Sequence, residues 1–299
     1  MILAPETVRI VEWVDRRVLG AFRLVDATAG LPVAGPARVM VRAVAIADPA
    51  GAVPVPLANN AVVVRRNTSG LFVLLTAPFF DDYVNSFGSP LAPAETAPGP
   101  LRLHIAAIPE TTSHLPQEFD FELPRSLDHA TANSVHRAND VALYRAPASP
   151  VLSGWSVLRV HVTQAGGTSP LPGVLVRVFR EPRAAGDSPI GAGMTEWRGR
   201  LAGDGMVALT DIPRFRPGSA PGDPVFVTNQ EISFDVLRDS AFTGASGQFP
   251  DVPGMLAESL PSIIHPPTVP PGSVFTVLNP PAPILVSAGR ELTVHIEMP

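Results

Sequence analysis

The chain contains no cysteine and no lysine: all 22 of its basic residues are arginine. Without thiols there are no disulfides, no thiolate nucleophile and no Cys-ligated metal, and folding is independent of redox compartment. Without lysine there is no Schiff-base chemistry, no P-loop lysine and no lysine-dependent covalent cross-link. All-arginine usage is what a GC-rich genome produces and carries no function by itself. Aromatics are scarce at 6%. A net charge of -5, with no basic stripe to offset it, argues against a nucleic-acid partner. No uncharged apolar run approaches the roughly 20 residues of a membrane-spanning helix, so no membrane partner is expected. Met1-Ile2-Leu3-Ala4-Pro5-Glu6 lacks a basic segment followed by an apolar one. The expectation is therefore cytoplasmic synthesis without a secretory signal.

What the chain has instead is 35 prolines and 24 glycines among 299 residues that are 45% hydrophobic. That composition suits short strands joined by many turns, and the length supports two cores of about 100–150 residues each. The strongest signal is repetition. Val18-Leu19-Gly20-Ala21-Phe22-Arg23-Leu24, Leu31-Pro32-Val33 and Val39-Met40-Val41-Arg42-Ala43-Val44 are echoed by later segments. These are Val157-Leu158-Arg159-Val160-His161-Val162, Leu171-Pro172-Gly173-Val174 and Leu175-Val176-Arg177-Val178-Phe179. Ser69 to Pro78 is echoed by Asp204 to Pro213, and Leu101-Arg102-Leu103-His104-Ile105 by Leu292-Thr293-Val294-His295-Ile296. Four segments in one order predict two copies of one β-domain. In each strand apolar residues take one face and Arg, His or Thr the other, the alternation of antiparallel sandwiches.

The predicted fold class is all-β: two tandem antiparallel Ig-like or transthyretin-like β-sandwiches. The first spans residues 1–130, a docked linker 131–153, and the second 154–299 with an insertion at about 214–288. Within the linker, Val141-Ala142-Leu143-Tyr144 could pair as a strand. Glu6 to Arg17 reads as a short helix or as an entry strand. The Pro-rich insertion keeps Phe242, Phe249, Met255, Leu256, Ile263 and Ile264, which either pack on their own sheet or meet a partner.

Trp155 to Pro213 resembles the carboxypeptidase-regulatory-like, Cna B-type and transthyretin-like family. The matching residues are Leu158 to Val162, Leu171-Pro172-Gly173-Val174-Leu175-Val176-Arg177-Val178, and Gly203-Asp204-Gly205 through Asp211-Ile212-Pro213. The first copy matches less closely because Gly35-Pro36-Ala37-Arg38 stretches the turn. The resemblance implies a seven- or eight-stranded Ig-like fold and no activity. The isopeptide bond of some members needs a lysine and is not carried over. Intradiol dioxygenases share a related sandwich and hold iron with two Tyr and two His. Here there are only Tyr83 and Tyr144, and no His-x-His pair. In its two-domain plan and in Ala77-Pro78-Phe79-Phe80-Asp81-Asp82-Tyr83, the whole chain resembles accessory proteins of phage-tail-like contractile injection particles. That resemblance implies residence in a released particle.

Reactive constellations are not found. His104, His161 and His295 lie on polar strand faces, but they come from different domains and none has a second ligand two residues on. Exposed strand histidines are the reading, and neither metal nor cofactor is expected. Asp81, Asp82, Asn85 and Ser86 lack an EF-hand spacing and read as a solvated turn. No Gly-x-Ser-x-Gly occurs. Trp197, between Glu196 and Arg198, is either a sugar-stacking or partner-binding platform or a ring packed at a sheet edge. The functional expectation is a non-catalytic structural protein, a scaffold or adaptor with protein partners in a multi-subunit assembly, compatible with self-association. Its interaction residues would be Phe242, Phe249, Met255, Leu256, Ile263, Ile264 and Trp197. The rival is a carbohydrate- or small-ligand-binding module built around Trp197.

Overall fold

The structure is a computed structural model. It describes residues 18–48, 51–55, 62–78, 80, 100–164, 166, 169–184, 186–210, 212, 215–216, 226–227, 229–239, 241–245, 247–257, 275–278 and 284–298. The Glu6–Arg17 segment, the Asp81–Ser86 turn, Ile263 and Ile264 lie outside these residues.

The described residues are nearly all β. In the first half the strands are β1 (Gly20–Asp26), β2 (Ala37–Asp48), β3 (Gly51–Val55), β4 (Val63–Arg66), β5 (Phe72–Thr76), β6 (Leu101–Pro109), β7 (Gln117–Leu123) and β8 (Asn139–Leu143). They form two four-stranded sheets, ordered β4-β5-β1-β8 and β3-β2-β6-β7. In the second half are β9 (Ser156–Gln164), β10 (Leu175–Arg180), β11 (Gly191–Met194), β12 (Asp204–Leu209), β13 (Phe215–Arg216), β14 (Phe226–Val227), β15 (Asn229–Asp239), β16 (Phe275–Leu278), β17 (Ile284–Ser287) and β18 (Glu291–Met298). One sheet runs β11-β10-β15-β16 with β17 also on β15, another runs β12-β9-β18, and β13 pairs with β14. One short α-helix is described, α1 (Val252–Ala257), besides a three-residue 3-10 helix at Gly199–Leu201. No described helix is long and apolar enough to cross a membrane.

By contacts the chain falls into two compact units, residues 1–22, 44–102 and 122–139, and residues 23–43, 103–121 and 140–299. In the first, Leu74, Val73 and Phe72 stand opposite Gly20, Ala21 and Phe22. The Phe22 and Phe72 rings stack there at 5.3 Å. In the second, the alternation read from sequence becomes a sandwich. Leu158, Val160 and Val162 of β9, Val207 and Leu209 of β12, and Val294, Ile296 and Met298 of β18 meet Val176 and Val178 of β10 and Ile232, Phe234 and Val236 of β15. Each such side chain removed from water contributes about 1.5–3 kcal/mol, and that core holds the sandwich together.

The two halves share one turn at the level of hydrogen bonds. The Asp26 amide donates to the Leu31 carbonyl and Val33 to Leu24, just as Gln164 donates to Ser169 and Leu171 to Val162. Beyond the turn the registers part: Val73 faces Ala21, whereas Ala208 faces Val157 and not Arg159, the counterpart of Ala21 by that turn.

One expectation needs correcting. Leu101–Ile105 and Leu292–Ile296 do not hold equivalent places: β6 lies between β2 and β7, whereas β18 lies beside β9. On the other side of β1 from β5 lies β8, the strand that Val141-Ala142-Leu143-Tyr144 offered within the segment read as linker. Of the two readings of 214–288, its described strands follow the first and pack in the chain's own sheet. Its strand β15 pairs with β10 from Leu175↔Leu237 to Arg180↔Ile232 and also holds β16 and β17.

Candidate functional site

Of the five described residues predicted to bind a partner, three, Trp197, Phe242 and Met255, are buried in the chain itself. Trp197, Phe242, Val252 and Met255 form a cluster with Leu115, Tyr144, Ala146, Leu175, Met194 and Leu237. Trp197 meets Phe242 edge-on, with ring centres 6.1 Å apart. A Cβ on Gly173 would stand 2.5 Å from the Phe242 ring, so the absent side chain is what admits it. Gly173 also holds φ +68°, a region that glycine enters without strain. Glu196 fixes the neighbouring backbone. Its Oε1 accepts from the amides of Trp197 and Arg198, both at 3.1 Å, and from Arg198 Nε at 2.9 Å. Trp197 is 7% exposed, so it offers no ring face to a sugar. Phe249 packs against the cluster, half-buried, with the Arg42 guanidinium 5.2 Å from its ring centre. Leu256, 42% exposed, alone of the described candidates faces water.

Buried charges are also used internally. Asp26 accepts from Arg145 Nη2 at 2.5 Å, from the Thr28 and Ala29 amides, and lies 3.2 Å from His114 Nε2. Burial alone would raise its pKa. The His114 hydrogen bond, the two amides and the Arg145 charge outweigh that and bring it down from 3.8 to about 2. Arg145 in turn lies over the Trp155 ring at 4.5 Å. A second anchor joins Asp235 of β15 to Arg177 of β10 at 2.8 Å and to Arg183 at 2.7 Å, with the Arg183 guanidinium 3.5 Å from the Phe179 ring centre. Burial pushes the nearby Tyr144 hydroxyl up to about 12, against a smaller opposing effect of Arg177.

One set of polar groups faces outward together on the outer side of β12-β9-β18. Asp204 is opposite His161 across the antiparallel β12–β9 pair. His295 is opposite His161 across the parallel β18–β9 pair. This makes a row of Asp, His and His over three strands. His161 Nδ1 lies 2.6 Å from Asp204 Oδ1, His295 Nε2 lies 2.9 Å from Thr163 Oγ1, and the two rings are 5.2 Å apart at 53°. One register step away, Arg159 donates from Nε to Glu291 at 3.1 Å and from Nη1 to the Pro147 carbonyl. A groove of about 310 Å3 opens here, with Arg159, His161, Asp204 and Thr293 on its polar side and Pro147, Ala148 and Leu201 on its apolar side. His104, the third of the strand histidines, pairs separately with Asp120 at 2.6 Å.

Sequence reasoning dismissed these histidines one by one and missed the row. The available signal was the shared Leu-x-Val-His pattern at 158–161 and 292–295, which fits two strands side by side in register.

No family model matches the chain, and no curated protein matches it. Among solved structures, a minor pilin of the Gram-positive pathogen Streptococcus agalactiae aligns at 9% identity over 93% of this chain and 94% of that one, with a TM-score of 0.21. A candidate cell adhesion protein of Bacteroides fragilis aligns at 10% identity over 94% and 91%, with a TM-score of 0.18. Likenesses of that size carry no argument about fold or function.

Proposed function

We propose that this chain is a non-catalytic structural and interaction protein, a scaffold or adaptor that holds protein partners within a larger assembly. One observation carries the reading: the buried ionised side chains act as anchors rather than converging on a cavity. Asp26, Asp235 and Glu196 each bind an arginine, and two of them also bind backbone amides. Groups held this way position strands, and what they stabilise is a rigid frame. The net charge of -5 favours protein partners over nucleic acid. The narrower setting, an accessory place in a phage-tail-like contractile injection particle, is proposed from the sequence resemblance alone.

A second reading, a small-ligand module, draws on the groove beside Arg159, His161 and Asp204 and places the ligand there instead of at Trp197. The two separate by native mass. Tagged chain recovered from its own cells by gentle lysis is expected to run far above 31.5 kDa, with partners in fixed ratio. A 31.5 kDa monomer in that extract, with a glycan or small metabolite retained, would favour the module and overturn the scaffold reading.

A further inference from the structure

We propose that His161 and His295 form a binding site for a divalent transition-metal ion on the outer face of the β12-β9-β18 sheet. Imidazole is a favoured ligand of zinc, copper and nickel. The parallel register puts the two residues directly opposite one another on adjacent strands, so the backbone holds the pair without needing loop order.

The second ring nitrogen of each histidine is already engaged. Asp204 is a carboxylate and only accepts, so His161 Nδ1 carries the proton at 2.6 Å and the Nε2 lone pair is left outward. At His295 the ligating tautomer is the one in which Nε2–H donates to the Thr163 hydroxyl, 2.9 Å away, and the Nδ1 lone pair meets the ion. This is the arrangement in which an outer carboxylate or hydroxyl fixes the tautomer and raises ligand basicity.

The spacing fits as well. Zinc sits about 2.0–2.1 Å from an imidazole nitrogen, hence roughly 3.2 Å from the ring centre, so two rings on one tetrahedral ion stand about 5.2 Å apart. The rings here are 5.2 Å apart. Local charge also suits a cation. Arg159 is neutralised by Glu291 at 3.1 Å, which leaves Asp204 as a net negative neighbour. Two protein ligands leave the remaining positions open to water or to a group from another molecule.

The test uses the full chain and Zn(II) alone, in competition with a chromogenic chelator. One ion per chain is expected. His161→Ala and His295→Ala should each weaken binding at least about tenfold, and Asp204→Asn, which keeps both ligands, about tenfold or more. His104→Ala, which alters an ordinary His–Asp pair, should change nothing. A second measurement needs no variant: Cu(II) or Co(II) added to the unmodified chain should broaden the ring resonances of His161 and His295 before those of the other histidines. No zinc uptake, an unchanged affinity in either alanine variant, or broadening that spares these two rings would overturn the site.

Discussion

Replacing Asp26 by asparagine isolates what one buried charge does for this fold. Asn keeps the shape and can still accept from the Thr28 and Ala29 amides, which Asp26 Oδ1 holds at 2.8 and 3.3 Å. It removes the counter-charge of Arg145, whose side chain is only 10% exposed. An uncompensated guanidinium in that position costs about 3–5 kcal/mol, a large share of a domain stability of about 5–15 kcal/mol. The pH dependence gives an independent check. Because Asp26 drops from 3.8 unfolded to about 2 folded, its contribution is present in full above about pH 4–5. It is lost as pH falls through about 2, and integrates to about 2 kcal/mol. Urea unfolding at pH 7 and at pH 2.5 measures both effects. Asp26→Asn should be destabilised by at least about 3 kcal/mol at pH 7, with the gap to the unmodified chain narrowing in acid. Arg145→Met added to Asp26→Asn should recover much of the loss, because an apolar pair replaces a broken ionic one. If Asp26→Asn lies within about 1 kcal/mol of the parent at pH 7, with a parallel acid limb, Asp26 is not an ionised anchor and the reasoning fails.

Two further outcomes follow from packing. A Cβ on Gly193 would lie 2.1 Å from the Met206 carbonyl oxygen and 2.9 Å from Val207 Cγ2. Gly193→Ala must therefore push β11 off β12, lowering unfolding free energy by about 1–3 kcal/mol or more. Gly247→Ala, with nothing within 4 Å, should cost only the strain of its φ of +83°, about 1 kcal/mol. Equal melting temperatures for the two would contradict the close approach. Replacing residues 214–288 by a short Gly-Ser turn should leave the second sandwich unfolded by circular dichroism, since it deletes β15 with buried Ile232, Phe234 and Val236. A folded product would show that β10 needs no such neighbour.

The strands were legible where alternation is long. Leu158 to Val162 and Ile232 to Val236 read as strands from sequence and are strands. Their partners were not legible, because pairing is a long-range choice that periodicity does not encode. β15 looked like part of an excursion for that reason, although it is the centre of its sheet. The same limit hid the outward site. Asp204, His161 and His295 are unremarkable singly and become a row only through two registers, one of them parallel. For Trp197 and Phe242 the sequence left packing and display both open, and the choice turns on a missing side chain at Gly173, which makes room for Phe242 inside.

The pairing of β18 with β9 has a mechanical meaning. The two strands run parallel in unbroken register from Glu291↔Val157 to Met298↔Gln164. Tension that enters at the start of β9 and leaves at the end of β18 pulls them in opposite directions along their length. All the evenly spaced hydrogen bonds between them are then strained together. A hairpin pulled from its open end would yield one bond at a time. Loaded this way, the second sandwich resists extension as a single clasp, with its grip set by the whole ladder.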